Sequence, residues 1–118
     1  MELTYHWEGD IRIPNLLPNE EPEEPLTKYG RMRLKFLEEH HRGIFSAMIL
    51  EGELKAHCLM IQKQADELME TITRQMAEAD GVNEELKATD QMSWVRKMNN
   101  IRYSAEEFVL REVVYAWN

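Results

Sequence analysis

The distribution of proline is the feature that most constrains this chain of 118 residues. All four prolines lie before residue 26, and residues 26–118 contain none. Proline removes a backbone hydrogen-bond donor and clashes with the preceding turn of a helix. The sequence therefore predicts an extended arm over residues 1–25 and a helical body over residues 26–118. By its length the chain is expected to form a single domain.

Two amphipathic rows dominate the predicted helical body. Apolar residues recur at steps of three and four from Leu54 to Ala79, and again from Met92 to Tyr115. The stretch Asp80-Gly81-Val82-Asn83 separates the rows and predicts a turn. The fold class is thus mainly α, with a long, coiled-coil-like antiparallel helical hairpin, two shorter helices packed on it, and a small N-terminal β-hairpin or extended arm.

The arms of this hairpin are predicted over residues 53–79 and 84–116. Asn83 is the expected N-cap of the second arm, because its side chain can accept a hydrogen bond from the first turn. Thr89-Asp90 marks a candidate break, since both side chains compete for local backbone bonds. A turn centred near residue 82 would place Ile72 beside Met92.

The two shorter helices are predicted over residues 26–41 and 44–51. Gly43 and Gly52 are expected to end them as left-handed caps. The second helix is apolar on most of its surface and is therefore expected to be buried. The first is amphipathic, and one side carries Tyr29, Met32 or Arg33, Phe36, Leu37 and His40.

The N-terminal arm combines two patterns. Apolar residues alternate over residues 3–13 around Glu8-Gly9-Asp10, which is typical of a β-hairpin. Residues 15–25 are acidic and rich in proline, which predicts an extended connector. An isolated hairpin is marginal in water, so its apolar face is expected to dock on another part of the protein.

Composition excludes several classes of protein. The net charge is −8, so the chain as a whole has no general attraction for nucleic acid or anionic membranes. Cys58 is the only cysteine, which rules out an internal disulfide and favours a reducing compartment. No apolar run is long enough to span a membrane, and no signal pattern is present. A cytoplasmic protein without membrane contact is expected.

The residues that carry chemistry do not form a recognisable reaction centre. His40, His41, His57 and Cys58 bracket the second helix, but Glu-x-x-His occurs once and the zinc spacings are missing. Cys58 lies on an apolar face, where burial makes a thiol inert. We therefore expect no metal site, no cofactor, no catalytic residue and no enzymatic activity.

Two clusters have the composition of a nucleic-acid contact, because Arg, Lys and Asn are the residues that bind phosphates and base edges. The first consists of Lys28, Arg31, Arg33 and Lys35. The second consists of Arg96, Lys97, Asn99, Asn100 and Arg102. A charged strip on a helix is more commonly its solvated side, so both sets stay candidates.

The C-terminal end of the predicted hairpin carries an apolar stripe broader than a two-helix seam requires. Its members are Phe108, Val109, Leu110, Val113, Val114, Tyr115 and Trp117. The surplus predicts a further covering surface, which is either the rest of the chain or a second copy of it. A homodimer through this stripe is the alternative to DNA contact.

The whole pattern resembles the transposon-encoded TnpV proteins of bacterial mobile elements. The matching segments are Glu2-Leu3-Thr4-Tyr5, Ile13-Pro14-Asn15-Leu16, Tyr29-Gly30-Arg31-Met32-Arg33, Gly81-Val82, Glu85-Leu86-Lys87-Ala88, and above all Trp94-Val95-Arg96-x-Met98-Asn99-x-Ile101-Arg102. The resemblance implies a part in maintenance, excision or regulation of the element, and it supplies no catalytic residue. It favours a non-enzymatic accessory protein that contacts DNA or a recombinase complex.

Overall fold

The computed structural model describes residues 4–8, 11–15 and 22–117. The described chain is mainly helical. Its helices are α1 (Lys28–His40), α2 (Arg42–Glu51), α3 (Leu54–Ala79), α4 (Glu84–Thr89) and α5 (Gln91–Val109), and a π-helical turn, Leu110–Val114, follows α5. Contacts divide the chain into two compact units, residues 1–62 and 63–118. The division falls within α3, whereas the sequence places its only internal boundary near residue 26.

The N-terminal strands are β1 (Thr4–Glu8) and β2 (Ile11–Asn15), which pair in antiparallel register with Thr4 opposite Asn15 and Glu8 opposite Ile11. The predicted turn at Gly9-Asp10 and residues 16–21 of the predicted connector lie outside the described residues. In the part of the chain that is described, no helix is both long and apolar enough to cross a membrane.

In the first unit, α1 is held against the start of α3 by a close approach at Gly30. Tyr29, Gly30, Arg33 and Leu37 are the buried residues of α1. A Cβ on residue 30 would collide with Gln62 Oε1 and lie 2.9 Å from Leu26 Cδ2. Gln62 is itself buried and accepts a hydrogen bond from the Thr27 backbone N–H at 2.6 Å. The N-terminus of α1 is therefore capped from α3, and not by the Thr27 hydroxyl.

The prediction that the second helix is buried is wrong. None of the ten residues of α2 is buried, and Leu50 is 61% exposed. Helix α2 packs mainly on α1. A short helix with one neighbour can cover only the side that faces it, so the remaining apolar side chains stay accessible to water.

One of the two predicted glycine caps is confirmed and the other is wrong. Gly52 ends α2 with φ 71°, and the Glu53 N–H bonds the Met48 carbonyl at 2.9 Å. Gly43 instead lies inside α2, because α1 ends at His41 with φ −136° and the next helix begins at once. Residue 43 is not among the described glycines with positive φ.

In the second unit, the connection after α3 forms part of the core. Gly81 has φ 68°, its N–H bonds the Glu78 carbonyl at 3.3 Å, and the Val82 N–H bonds the Ala77 carbonyl at 2.8 Å. This pair of bonds is the Schellman motif, which normally brings the following residue against the last turn. Val82 accordingly forms a buried cluster with Met98 and Ile101, and Met76, Ala77, Leu86 and Trp94 pack against it.

Helices α4 and α5 replace the single second arm of the sequence prediction. Asn83 Oδ1 accepts the Leu86 N–H at 2.9 Å, which confirms Asn83 as an N-cap. Asp90 ends α4, and its Oδ1 accepts the Ser93 N–H at 3.1 Å at the start of α5. The candidate break at Thr89-Asp90 is therefore a real boundary between two capped helices.

The predicted pairing of Ile72 with Met92 is wrong. Met92 is 81% exposed, and Ile72 instead lines a groove with Ser104 and Phe108 of α5. The shift amounts to about three to four helical turns. Its cause is α4, since the chain completes this extra helix before α5 begins to run back along α3.

The observed packing predicts that Ile101, and not Met92, contributes strongly to stability. Ile101→Ala should lower the free energy of unfolding by about 2–5 kcal/mol, because Ile101 is 4% exposed and its truncation leaves a cavity. Met92→Ala is the matched control and should change it by less than about 0.5 kcal/mol. Urea unfolding followed by circular dichroism measures both. A large loss in Met92→Ala would support the pairing expected from sequence.

Candidate nucleic-acid interface

The first fifteen residues of α5 form a basic stretch of the second unit. Residues 91–105 contain three basic residues and no acidic residue, in a chain whose net charge is −8. All five predicted contact residues of this helix are exposed. They are Arg96, Lys97, Asn99, Asn100 and Arg102.

Burial of one side of α5 fixes where these side chains lie around the helix. Met98, Ile101 and Ala105 are the buried side. At about 100° per residue, Arg96 lies almost opposite that side, and Asn99 and Asn100 lie about 50° to either side of that point. Lys97 and Arg102 lie on the two flanks. The structure therefore brings the predicted residues onto one helix but not into a single row.

Tyr103 belongs to the same exposed surface, and the sequence reasoning missed it. It is 69% exposed and lies one turn beyond Asn99 and two turns beyond Arg96. The available signal was its spacing of four from Asn99 and seven from Arg96. The spacing alone did not identify Tyr103, because Tyr occurs both in cores and at surfaces. Only the burial of Met98 and Ile101 shows which side of α5 faces outward.

Arg102 differs from the others by lying at the edge of a groove between α3 and α5. Arg74, Glu70 and Thr73 of α3 line the same groove. Met69, Ala77 and Met98 contribute its apolar part. The positive charge of Arg102 therefore lies beside a second arginine and one carboxylate, at the flank of the surface that carries Arg96.

The predicted basic face of α1 is present with three of its four members. Lys28, Arg31 and Lys35 are exposed. Each is engaged locally: Lys35 Nζ lies 3.9 Å from Glu39 Oε1, and Arg31 Nη1 donates to the Leu26 carbonyl at 3.3 Å. Lys28 Nζ lies 5.6 Å from the centre of the Tyr29 ring. Exposed contacts of this kind contribute little to stability and are easily exchanged.

By contrast, no hydrogen bond or ion pair within the described part of the chain engages the side chains of the α5 set. Arg96, Lys97, Asn99 and Asn100 thus present their full donor and acceptor capacity to solvent. Of the two predicted surfaces, α5 is better suited to an external anionic partner.

Arg33 does not lie on the exposed face of α1 that carries Lys28, Arg31 and Lys35. It is 4% exposed, and its Nε–H donates to His57 Nε2 at 3.2 Å. The reason is helical spacing: Arg33 lies one turn from both Tyr29 and Leu37, which are buried on the same side. Burial lowers the pKa of the Arg33 guanidinium, against the opposing effect of nearby Cys58. Arg33 is a core residue of the first unit.

His57 and Cys58 complete this core. Burial, followed by the positive charge of Arg33, lowers the pKa of His57 below its ordinary value. Because Nε2 accepts the Arg33 hydrogen bond, His57 is neutral here with its proton on Nδ1. Burial raises the pKa of the Cys58 thiol to about 11, and the charge of Arg33 opposes this rise. At neutral pH Cys58 is therefore a protonated, unreactive thiol.

Two further histidines, His40 and His41, pack on an aromatic ring. The rings of His40 and His41 lie 5.5 Å and 5.1 Å from the centre of the Phe36 ring. Among residues 22–117, no group of three or more His, Cys, Asp or Glu side chains is arranged to hold a metal ion. The histidines that bracket α2 thus contact Phe36 or Arg33 in the described structure.

The Arg33–His57 contact predicts a pH dependence of stability. Because the pKa of His57 is lower in the folded chain, His57 of the unfolded chain binds a proton at a higher pH than His57 of the folded chain. The free energy of unfolding should therefore fall as pH drops below about 6.5. His57→Gln keeps an acceptor for Arg33 and cannot titrate, so it should flatten the dependence of unfolding free energy on pH between about pH 7 and pH 5. Urea unfolding at a series of pH values measures the slope. Gln64→Ala, which removes an exposed side chain of α3 that does not titrate, is the control and should keep the slope. An unchanged slope in His57→Gln would contradict this account.

Comparison with known proteins gives one match. The family described as transposon-encoded protein TnpV matches residues 4–114, nearly the whole chain. No curated protein and no solved structure matches. The matched range includes α1, α3 and the whole of α5, so both candidate surfaces fall within it. The chain belongs to the TnpV family of transposon-encoded proteins.

Proposed function

We propose that this transposon-encoded protein is a non-enzymatic accessory protein that binds duplex DNA. The observation that carries the proposal is the exposed surface of residues 91–105 of α5, which contain no acidic residue, in a chain that is acidic overall. Phosphate contacts by Lys and Arg supply most of the affinity in such complexes. Arg96, Lys97 and Arg102 are the proposed phosphate-binding residues of the second unit.

Electrostatic range explains how an acidic protein can bind DNA through such a surface. Charges separated by more than about 8 Å are largely screened at physiological ionic strength. A phosphate at α5 is therefore influenced more by the three local cations than by the net charge of −8. Lys28, Arg31 and Lys35 of α1 are a second proposed set of phosphate contacts. Arg33 is not included, because it is buried.

DNA affinity should fall steeply with salt, since each bound phosphate releases counterions. Lys97→Gln should weaken binding to all sequences alike and reduce the slope of log affinity against log salt by about one. Fluorescence anisotropy with a labelled duplex, over a series of salt concentrations, measures both effects.

Lys63→Gln is the matched control for this experiment. Lys63 is an exposed lysine of α3, outside the α5 surface, so its removal changes the net charge equally. It should leave the slope unchanged. Absence of any complex at low salt, with random duplexes and with duplexes from the transposon ends, would refute the proposal.

A second candidate function is a protein-interaction module, and the exposed apolar side chains of α2 favour it. Ile44, Ile49 and Leu50 are all exposed on this helix. The C-terminal stripe differs from α2 in burial. Val109 and Val114 are fully buried, whereas Phe108, Tyr115 and Trp117 are partly exposed. Exposed apolar groups of this kind are typical of surfaces that bind a second copy of the chain or another protein, such as a transposon recombinase.

The two apolar surfaces can be tested separately. If copies of the chain associate through α2, Leu50→Asp should reduce the mass measured by light scattering at rising protein concentration. If they associate through the C-terminal stripe, Tyr115→Asp should do so instead. Both sites are exposed, so neither change should prevent folding. A wild-type chain that remains a monomer at every concentration would exclude the homodimer.

A further inference from the structure

The outer side of α5 carries a set of side chains with the chemistry of base recognition. Its members are Met92, Arg96, Asn99, Asn100 and Tyr103, all of them exposed. At about 100° per residue they fall within an arc of about 100°, opposite the buried side of the helix. At about 1.5 Å per residue the row extends over about 17 Å.

The flanks of this row carry positive charge. Lys97 lies about 60° beyond one edge of the arc, and Arg102 lies about 60° beyond the other. Acidic residues occur only outside this part of the helix, with Asp90 before it and Glu106 and Glu107 after it. A cation on each side of a central polar row matches a groove that has one phosphate backbone along each wall.

The central row also matches the contents of such a groove. Arginine can bond the O6 and N7 atoms of guanine with two hydrogen bonds, and asparagine can bond N6 and N7 of adenine in the same way. An α-helix is about 10–12 Å in diameter with its side chains, and the major groove of B-form DNA is about 12 Å wide. Met92 offers an apolar group of the kind that contacts the methyl of thymine.

We propose that α5 is a recognition helix that enters the major groove of duplex DNA, where Arg96, Asn99 and Asn100 read base edges and Lys97 and Arg102 bind the two phosphate backbones. This inference rests on the DNA-binding function proposed above, and it adds sequence selectivity to it. The two asparagines at the edges of the arc and the lysine on its flank favour duplex DNA over a protein partner, because asparagine binds base edges and lysine is depleted at protein interfaces.

The test begins with selection of duplexes from a random-sequence library by the full chain. Wild-type protein should enrich a preferred sequence that contains G and A at the contacted positions. Asn99→Ala combined with Asn100→Ala should reduce discrimination between the preferred duplex and a scrambled one by about 5- to 150-fold. Affinity for the scrambled duplex should change little, because the phosphate contacts remain.

Two control variants isolate the base contacts. Gln64→Ala combined with Gln75→Ala removes two exposed amides from α3 and should leave discrimination unchanged. Lys97→Gln combined with Arg102→Gln should weaken binding to the preferred and scrambled duplexes alike. Circular dichroism establishes that every variant keeps its helical content.

The outcomes separate this inference from the function on which it rests. Absence of duplex binding by the wild-type chain overturns both. Salt-dependent binding with no preferred sequence overturns the recognition helix and leaves the DNA-binding function standing. The same conclusion follows if a preferred sequence is found but the Asn99 and Asn100 variant discriminates as well as wild type.

Discussion

The second unit depends on the left-handed turn at Gly81. A positive φ at this residue allows the chain to close α3 with two backbone bonds and to direct Val82 inward. Val82 then packs with Met98 and Ile101, which fixes which side of α5 is buried. Because the opposite side of α5 is exposed, the turn also determines which polar residues α5 presents to solvent.

The first unit depends on a polar interaction inside its core. Arg33 occupies the buried row of α1 between Tyr29 and Leu37, where an apolar residue would be expected. Its guanidinium is accommodated because neutral His57 accepts a hydrogen bond from it. A buried charge of this kind is costly unless it is hydrogen-bonded, so the protonation state of His57 and the position of Arg33 are linked.

In both units the position of a polar residue, and not its type, decides whether it belongs to the core or is exposed. Arg33 is buried and engaged, whereas Arg96 is exposed and opposite a core. The proposed DNA contact uses only cations of the exposed kind. In that proposal, the three cations on residues 91–105 of α5 bind an anionic polymer locally, and the acidic remainder of the protein repels it, which limits non-specific binding.

The sequence by itself determined the helical class and the caps at Gly52 and Asn83, because these follow from local spacing and turn chemistry. Its match to the TnpV family model determined the family. The sequence also identified the polar residues of α5. Only the tertiary structure decided that Arg33 is buried, that α2 is exposed, and that Met92 lies outside the core. Periodicity defines the sides of a helix but not which side meets a neighbour. That choice depends on the length of the connection, here increased by α4, and on the close approach at Gly30, which local spacing does not encode.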